Sequence, residues 1–80
     1  MKIAYGHHAR DRMSERGITE QDIRSVLEFP DTVTPTPKNS VCCIGEPQPG
    51  RRLKVWVFPY DTDSDMRRVK STAWKDEDDV

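Results

Sequence analysis

The stretch His8-Ala9-Arg10-Asp11-Arg12-Met13-Ser14-Glu15-Arg16-Gly17-Ile18-Thr19 decides how this chain begins to fold. From His7 to Arg16 neither proline nor glycine interrupts the run, and Gly17 then supplies the residue that closes a helix in the left-handed conformation. Ala9 and Met13 form a narrow apolar stripe, flanked by Tyr5 and Ile18. Thr19 opens a second helix, because its hydroxyl can accept from an otherwise unpaired backbone N–H. Asp22 stands three residues on, where a capping box carries its acid. Ile23, Val26 and Leu27 follow at helical spacing, and Pro30 ends the element. Gly17-Ile18-Thr19 is therefore a tight corner between two helices.

Working outward, Lys2 to Tyr5 has room only for a short strand. Three prolines between Pro30 and Pro37 predict an extended or looped connection. Val41 to Ile44 is a short strand candidate, and Pro47-Gln48-Pro49-Gly50 reads as a turn. Leu53, Val55 and Val57 alternate with Lys54, Trp56 and Phe58, which is strand periodicity with aromatic enrichment. After a polar turn at Asp61 to Asp65, Val69, Ser71 and Ala73 alternate with Arg68, Lys70, Thr72 and Trp74. The expected architecture is α+β: two N-terminal helices packed on one face of a small antiparallel sheet. It is one domain over residues 1–75, followed by a flexible acidic tail at 76–80.

Composition limits what such a domain can be. Its 80 residues are 34% hydrophobic and 34% charged, enough for one thin core. The net charge of -1 is an average: residues 1–75 carry thirteen cations against ten acids, or +3, and Asp76, Glu77, Asp78 and Asp79 reverse the sign. A mildly basic body permits an acidic partner without demanding one. The adjacent Cys42 and Cys43 cannot staple distant segments, and the chain has no zinc-ligand spacing. His7 and His8 point about 100° apart on a helix, so they do not chelate together. No apolar run reaches the ~18–20 residues of a membrane span. A soluble, cytoplasmic domain without metal, cofactor or membrane partner is expected.

Two constellations carry chemistry. His8, Arg12 and Arg16 recur every fourth residue, drifting only about 40° per step, and so line one side of the first helix. An imidazole beside two guanidiniums suits phosphodiester chemistry, the arginines holding phosphate oxygens and the histidine moving a proton. At the positive end of the helix, with Arg12 one turn away, His8 is cast as a base. Asp11 and Glu15 offer the bland alternative, a surface lattice of ion pairs. The second constellation is the outward face of the last two strands. Arg52, Lys54, Trp56 and Phe58 share it with Arg68, Lys70, Thr72 and Trp74, provided the strands keep strict alternation. Cations beside aromatic rings form a platform for single-stranded RNA. The alternative is a second hydrophobic cluster of Trp56, Phe58 and Trp74 with basic residues at its rim.

The pattern His8-Ala9-x-x-Arg12-Met13-x-x-Arg16-Gly17-Ile18 also resembles the domain-of-unknown-function family 4258. The resemblance continues through Gly50-Arg51-Arg52-Leu53-Lys54-Val55 and Arg68-Val69-Lys70-Ser71-Thr72, from about Tyr5 to Trp74. That family is grouped with the RelE/ParE-like toxin superfamily, which implies two helices on an antiparallel sheet. RelE-type relatives cleave mRNA, usually on the ribosome, and ParE-type relatives act on DNA gyrase. Carried over residue by residue, the resemblance points to His8, Arg12 and Arg16, with Arg52 and Thr72. The acidic tail and the low body charge depart from a ribosome-dependent RNase. The expected function is a toxin-like RNA-binding domain with metal-independent endoribonuclease activity at His8, Arg12 and Arg16. Arg52, Lys54, Trp56, Arg68, Lys70, Thr72 and Trp74 would bind the RNA, and an antitoxin-like protein is a further expected partner. The alternative is a non-catalytic protein-interaction module docking through its aromatic face.

Overall fold

The computed structural model describes residues 1–37, 39–58 and 65–75. The expected acidic tail and most of the turn between the last two strands lie outside them. The elements run β1 (Lys2–Tyr5), α1 (His7–Arg16), α2 (Glu20–Glu28), β2 (Thr32–Thr36), β3 (Ser40–Gln48), β4 (Arg51–Val57) and β5 (Met66–Trp74). They form one five-stranded sheet in the order β1-β5-β4-β3-β2.

This corrects the expected fold. A strand, not a helix, comes first, and β1 lies parallel to β5 with Ile3 opposite Arg67 and Tyr5 opposite Val69. The sheet is therefore mixed, the remaining pairs being antiparallel. Four residues whose partner lies more than sixty positions away leave no local signature of direction. Of the extended and looped alternatives for the proline-rich segment the extended one holds, as a paired strand with Thr32 opposite Ile44 and Thr36 opposite Ser40. Pro35 is tolerated because β2 is an edge. β3 runs on to Gln48, so the turn shrinks to Pro49 and Gly50, whose φ of 78° only glycine adopts without strain.

Both helices form as their punctuation predicts. Gly17 sits at φ 64°, and the Ile18 N–H donates to the Met13 carbonyl at 3.0 Å, the wrapped end that stops α1. The Asp22 N–H donates to Thr19 Oγ1 at 3.0 Å and the Thr19 N–H to Asp22 Oδ2 at 3.1 Å, a complete capping box with Asp in the acid position. Asp22 Oδ1 also accepts from Gln48 Nε2 at 3.2 Å, tying the start of α2 to the end of β3. Thr19→Ala is expected to cost about 1 kcal/mol. Asp22→Ala should cost more, because it also deprives the Thr19 N–H and Gln48 of their acceptor. Urea midpoints of the two variants check the order.

The core lies between the helices and one sheet face. Ala9 and Met13 of α1 and Ile23 and Val26 of α2 meet Cys43, Leu53, Val55, Val57, Val69 and Trp74. The α2 helix crosses β3 at Gly45, where an added Cβ would stand 3.4 Å from Val26 Cα.

Between β4 and β5 the register slips: Trp56 pairs with Ser71, but Val57 pairs with Val69. The extra residue, Lys70, is a β-bulge, and it inverts the parity of everything after it. Thr72 now faces Val55 and Trp74 faces Leu53. Both are buried, Thr72 at 0% and Trp74 at 1% exposure. The expectation that Thr72 and Trp74 lie on the open face with Arg68 and Lys70, while Ser71 and Ala73 turn inward, is corrected by this single inserted residue.

Candidate functional site

Each residue of the α1 row is accounted for differently. His8 is exposed in the first turn. Arg12 Nη1 lies 2.6 Å from Glu15 Oε2, the surface pair that the i+3 spacing offers. Arg16 turns onto the sheet, its Nη1 donating to the Thr72 carbonyl at 2.9 Å. The Arg16 carbonyl in turn accepts from Trp74 Nε1 at 2.8 Å. These two bonds run in opposite directions between the end of α1 and the end of β5, and they latch the helix to the strand. Arg16, Thr72 and Trp74 do come together, as a structural joint rather than as an open site. Thr72 Oγ1 donates to the Lys54 carbonyl at 2.9 Å, so its hydroxyl is committed as well.

Arg51 completes that joint, its guanidinium carbon 3.8 Å from the centre of the Trp74 ring. A cation over an indole face contributes about 0.5–2 kcal/mol, more as water is excluded. The candidate residues include Arg52 rather than Arg51, yet parity was enough to find it. Arg51 is two positions before Leu53, so it projects to the core side of the sheet, whereas Arg52 does not. Arg52 instead lies 3.4 Å from Asp31, whose backbone N–H donates to the Ile44 carbonyl at 2.7 Å.

The opposite face of the sheet keeps the other cations and two of the three aromatics. Trp56 and Lys54 lie on it together, the ammonium 5.5 Å from the ring centre. Phe58 follows at the next outward position, 41% exposed, with the Lys70 ammonium 5.8 Å from its ring. Arg68 stands exposed beside Ala4 of β1. Small side chains floor the space around Trp56, namely Cys42 and Ser71 opposite it and Ala73 opposite Lys54. The three-ring cluster does not form, since Trp74 is on the far side of the sheet. What remains is a strip of two rings, each paired with a lysine.

No helix is long and apolar enough to cross a membrane, and no three His, Cys, Asp or Glu residues gather to hold a metal ion, among the described residues. A family model described as a domain of unknown function, DUF4258, matches residues 5–74. The chain belongs to the DUF4258 family. No curated protein and no solved structure matches it. The matched span of DUF4258 takes in α1, the Gly50-Arg51 turn and all of β5, so it includes the whole latch.

Proposed function

We propose that this domain binds single-stranded RNA across the open face of its sheet, and that the α1 row is not its catalytic apparatus. One observation carries the reading: Trp56 and Phe58 share the open face, each with a lysine ammonium within 6 Å of its ring. Rings accept stacked bases of any identity, and the lysines beside them meet the phosphates between those bases. The α1 row supports the second half of the proposal. Arg16 has its guanidinium on a backbone carbonyl and Arg12 has its own on Glu15, so His8 lacks the convergent pair of cations that a charged phosphorane needs.

Titration with a short unstructured RNA at increasing salt tests this. With Lys54, Arg68 and Lys70 as the phosphate contacts, log K is expected to fall with log salt at a slope of about -2, from ~0.7 per contact on a single strand. His8→Ala should leave the affinity within about twofold, and the RNA should remain uncut with or without ribosomes. Absent or salt-independent binding overturns the RNA reading and returns the face to apolar protein docking. Cleavage lost in His8→Ala overturns the non-catalytic half.

A further inference from the structure

One row of side chains runs across the open face: Thr34 of β2 lies opposite Cys42 of β3, Cys42 opposite Trp56 of β4, and Trp56 opposite Ser71 of β5. The two sides of the indole therefore differ. On the β5 side stands a half-buried hydroxyl, and on the β3 side a buried thiol. A hydroxyl donates and accepts well, whereas a thiol does both weakly. The Ser71 hydroxyl has no hydrogen-bond partner among the described residues, unlike that of Thr72, which donates to the Lys54 carbonyl. Charge divides along the same line. Arg68 and Lys70 flank the aromatic strip from β5, while neither β2 nor β3 contains a lysine or an arginine. Lys54 lies in β4 itself and favours neither side.

We propose that the single strand lies along β4 with its sugar–phosphate backbone over β5 and its base edges toward β2, and that Ser71 reads the ribose 2′-hydroxyl of the nucleotide stacked on Trp56. This rests on the RNA reading of the strip and adds the orientation of the strand and a reason for preferring ribose. Phosphate contacts set the position of a strand, and the cations flanking this strip are on the β5 side. Trp56 and Phe58 are two residues apart, about 6.7 Å along the strand and roughly twice the ~3.4 Å step of stacked bases. Each ring therefore takes its own base, and each base carries its own ribose toward β5. The ribose beside Trp56 meets β5 at Ser71, one strand spacing of about 4.8 Å away. A 2′-hydroxyl there both donates and accepts, and so does the serine. The nucleotide on Phe58 finds Arg68 and Lys70 in the corresponding place, which hold phosphate and do not distinguish the sugar. A strand lying the other way would set its phosphates over uncharged β3 and its ribose over the Cys42 thiol.

The test compares a short uridine RNA with the same oligomer of 2′-deoxyuridine, which holds the base constant, on the unaltered chain, Ser71→Ala and Ser71→Thr. The unaltered chain is expected to bind the ribose strand about two- to twelvefold more tightly, the span of one net hydrogen bond. Ser71→Ala should bring the ribose strand down to the level of the deoxyribose one and leave the latter within about twofold. Ser71→Thr keeps the hydroxyl and should keep most of the preference. The salt slope should be the same for all three, since no phosphate contact is touched. A substitution that merely loosened the sheet would weaken both strands alike, so equal losses in Ser71→Ala overturn the proposal. A ribose preference that survives Ser71→Ala overturns it too, because the sugar then lies elsewhere. Equal affinity of the unaltered chain for the two strands, each with the salt slope, overturns it and leaves the aromatic strip standing as a site for either sugar. Binding of neither strand removes the strip first, and this orientation with it.

Discussion

Trp74→Ala is expected to remove about 3–5 kcal/mol of stability, the largest loss from any single side chain in the domain. A chain of this size has roughly 4–12 kcal/mol in all, so the variant stands at or below the threshold of folding. Three contributions are lost together. The indole is 1% exposed and fills the core between α1 and β4, its Nε1 holds the Arg16 carbonyl, and its outer face carries the Arg51 guanidinium. The volume term dominates, because filling the space again requires α1 to move and α1 is tied to β5 by Arg16. Trp74→Phe separates the parts: it keeps most of the volume and loses the hydrogen bond, so about 1–3 kcal/mol is expected. Trp56→Ala is the control. That ring is half-buried on the open face, and its loss should cost about 1 kcal/mol or less. Denaturant unfolding followed by far-UV circular dichroism gives all three, with the midpoint moving and the slope unchanged. Equal losses at Trp56 and Trp74 would mean that the bulge does not invert the strand.

That comparison also marks how far the sequence could be read. The helices were legible because their signals are local. Gly17 ends one, Thr19 and Asp22 start the next, and each acts within five residues of itself. Alternation placed Leu53, Val55 and Val57 on the core for the same reason. The direction of β1 was not legible, since it depends on a partner at the other end of the chain. Strand character in Thr32–Thr36 was hidden by Pro35, which forbids a central strand but not an edge. The bulge at Lys70 was invisible for a deeper reason. A period-two pattern assumes an unbroken register, and Val69-Lys70-Ser71-Thr72 satisfies either parity with small or amphipathic residues. Trp74 was the one residue able to arbitrate, as a ring that size at the end of a strand in so small a domain is better buried than exposed. The candidate site changed accordingly. Thr72 and Trp74 left the open face for the core, where Arg16 meets the Thr72 carbonyl, and Lys54, Trp56, Arg68 and Lys70 kept their places on the open face.

The second large effect is on RNA. Trp56→Ala is expected to weaken binding of a short single strand by roughly 5–150-fold, the ~1–3 kcal/mol by which one stacked base depends on its ring. Phe58→Ala should fall toward the lower part of that span, because a phenyl ring presents less surface than an indole. The two rings are on one face of one strand but touch different bases, so the losses should nearly add, and the double variant should bind at least about 25-fold more weakly. The salt slope discriminates stacking from charge. Removing a ring leaves the phosphate contacts in place, so the slope of about -2 should persist while the intercept drops. Removing Lys70 should do the reverse, flattening the slope by about 0.7 with a smaller loss at low salt. Trp56 fluorescence supplies a second readout, since a base stacked on the indole is expected to quench it, and Trp74 is walled off by the sheet. Because Trp56 contributes little to folding and Trp74 a great deal, the variants that weaken binding are expected to retain the parent's unfolding free energy to within about 1 kcal/mol. Binding unaffected by either ring, in a protein that still shows the salt slope, would place the RNA along the cations alone and remove the aromatic strip from the site.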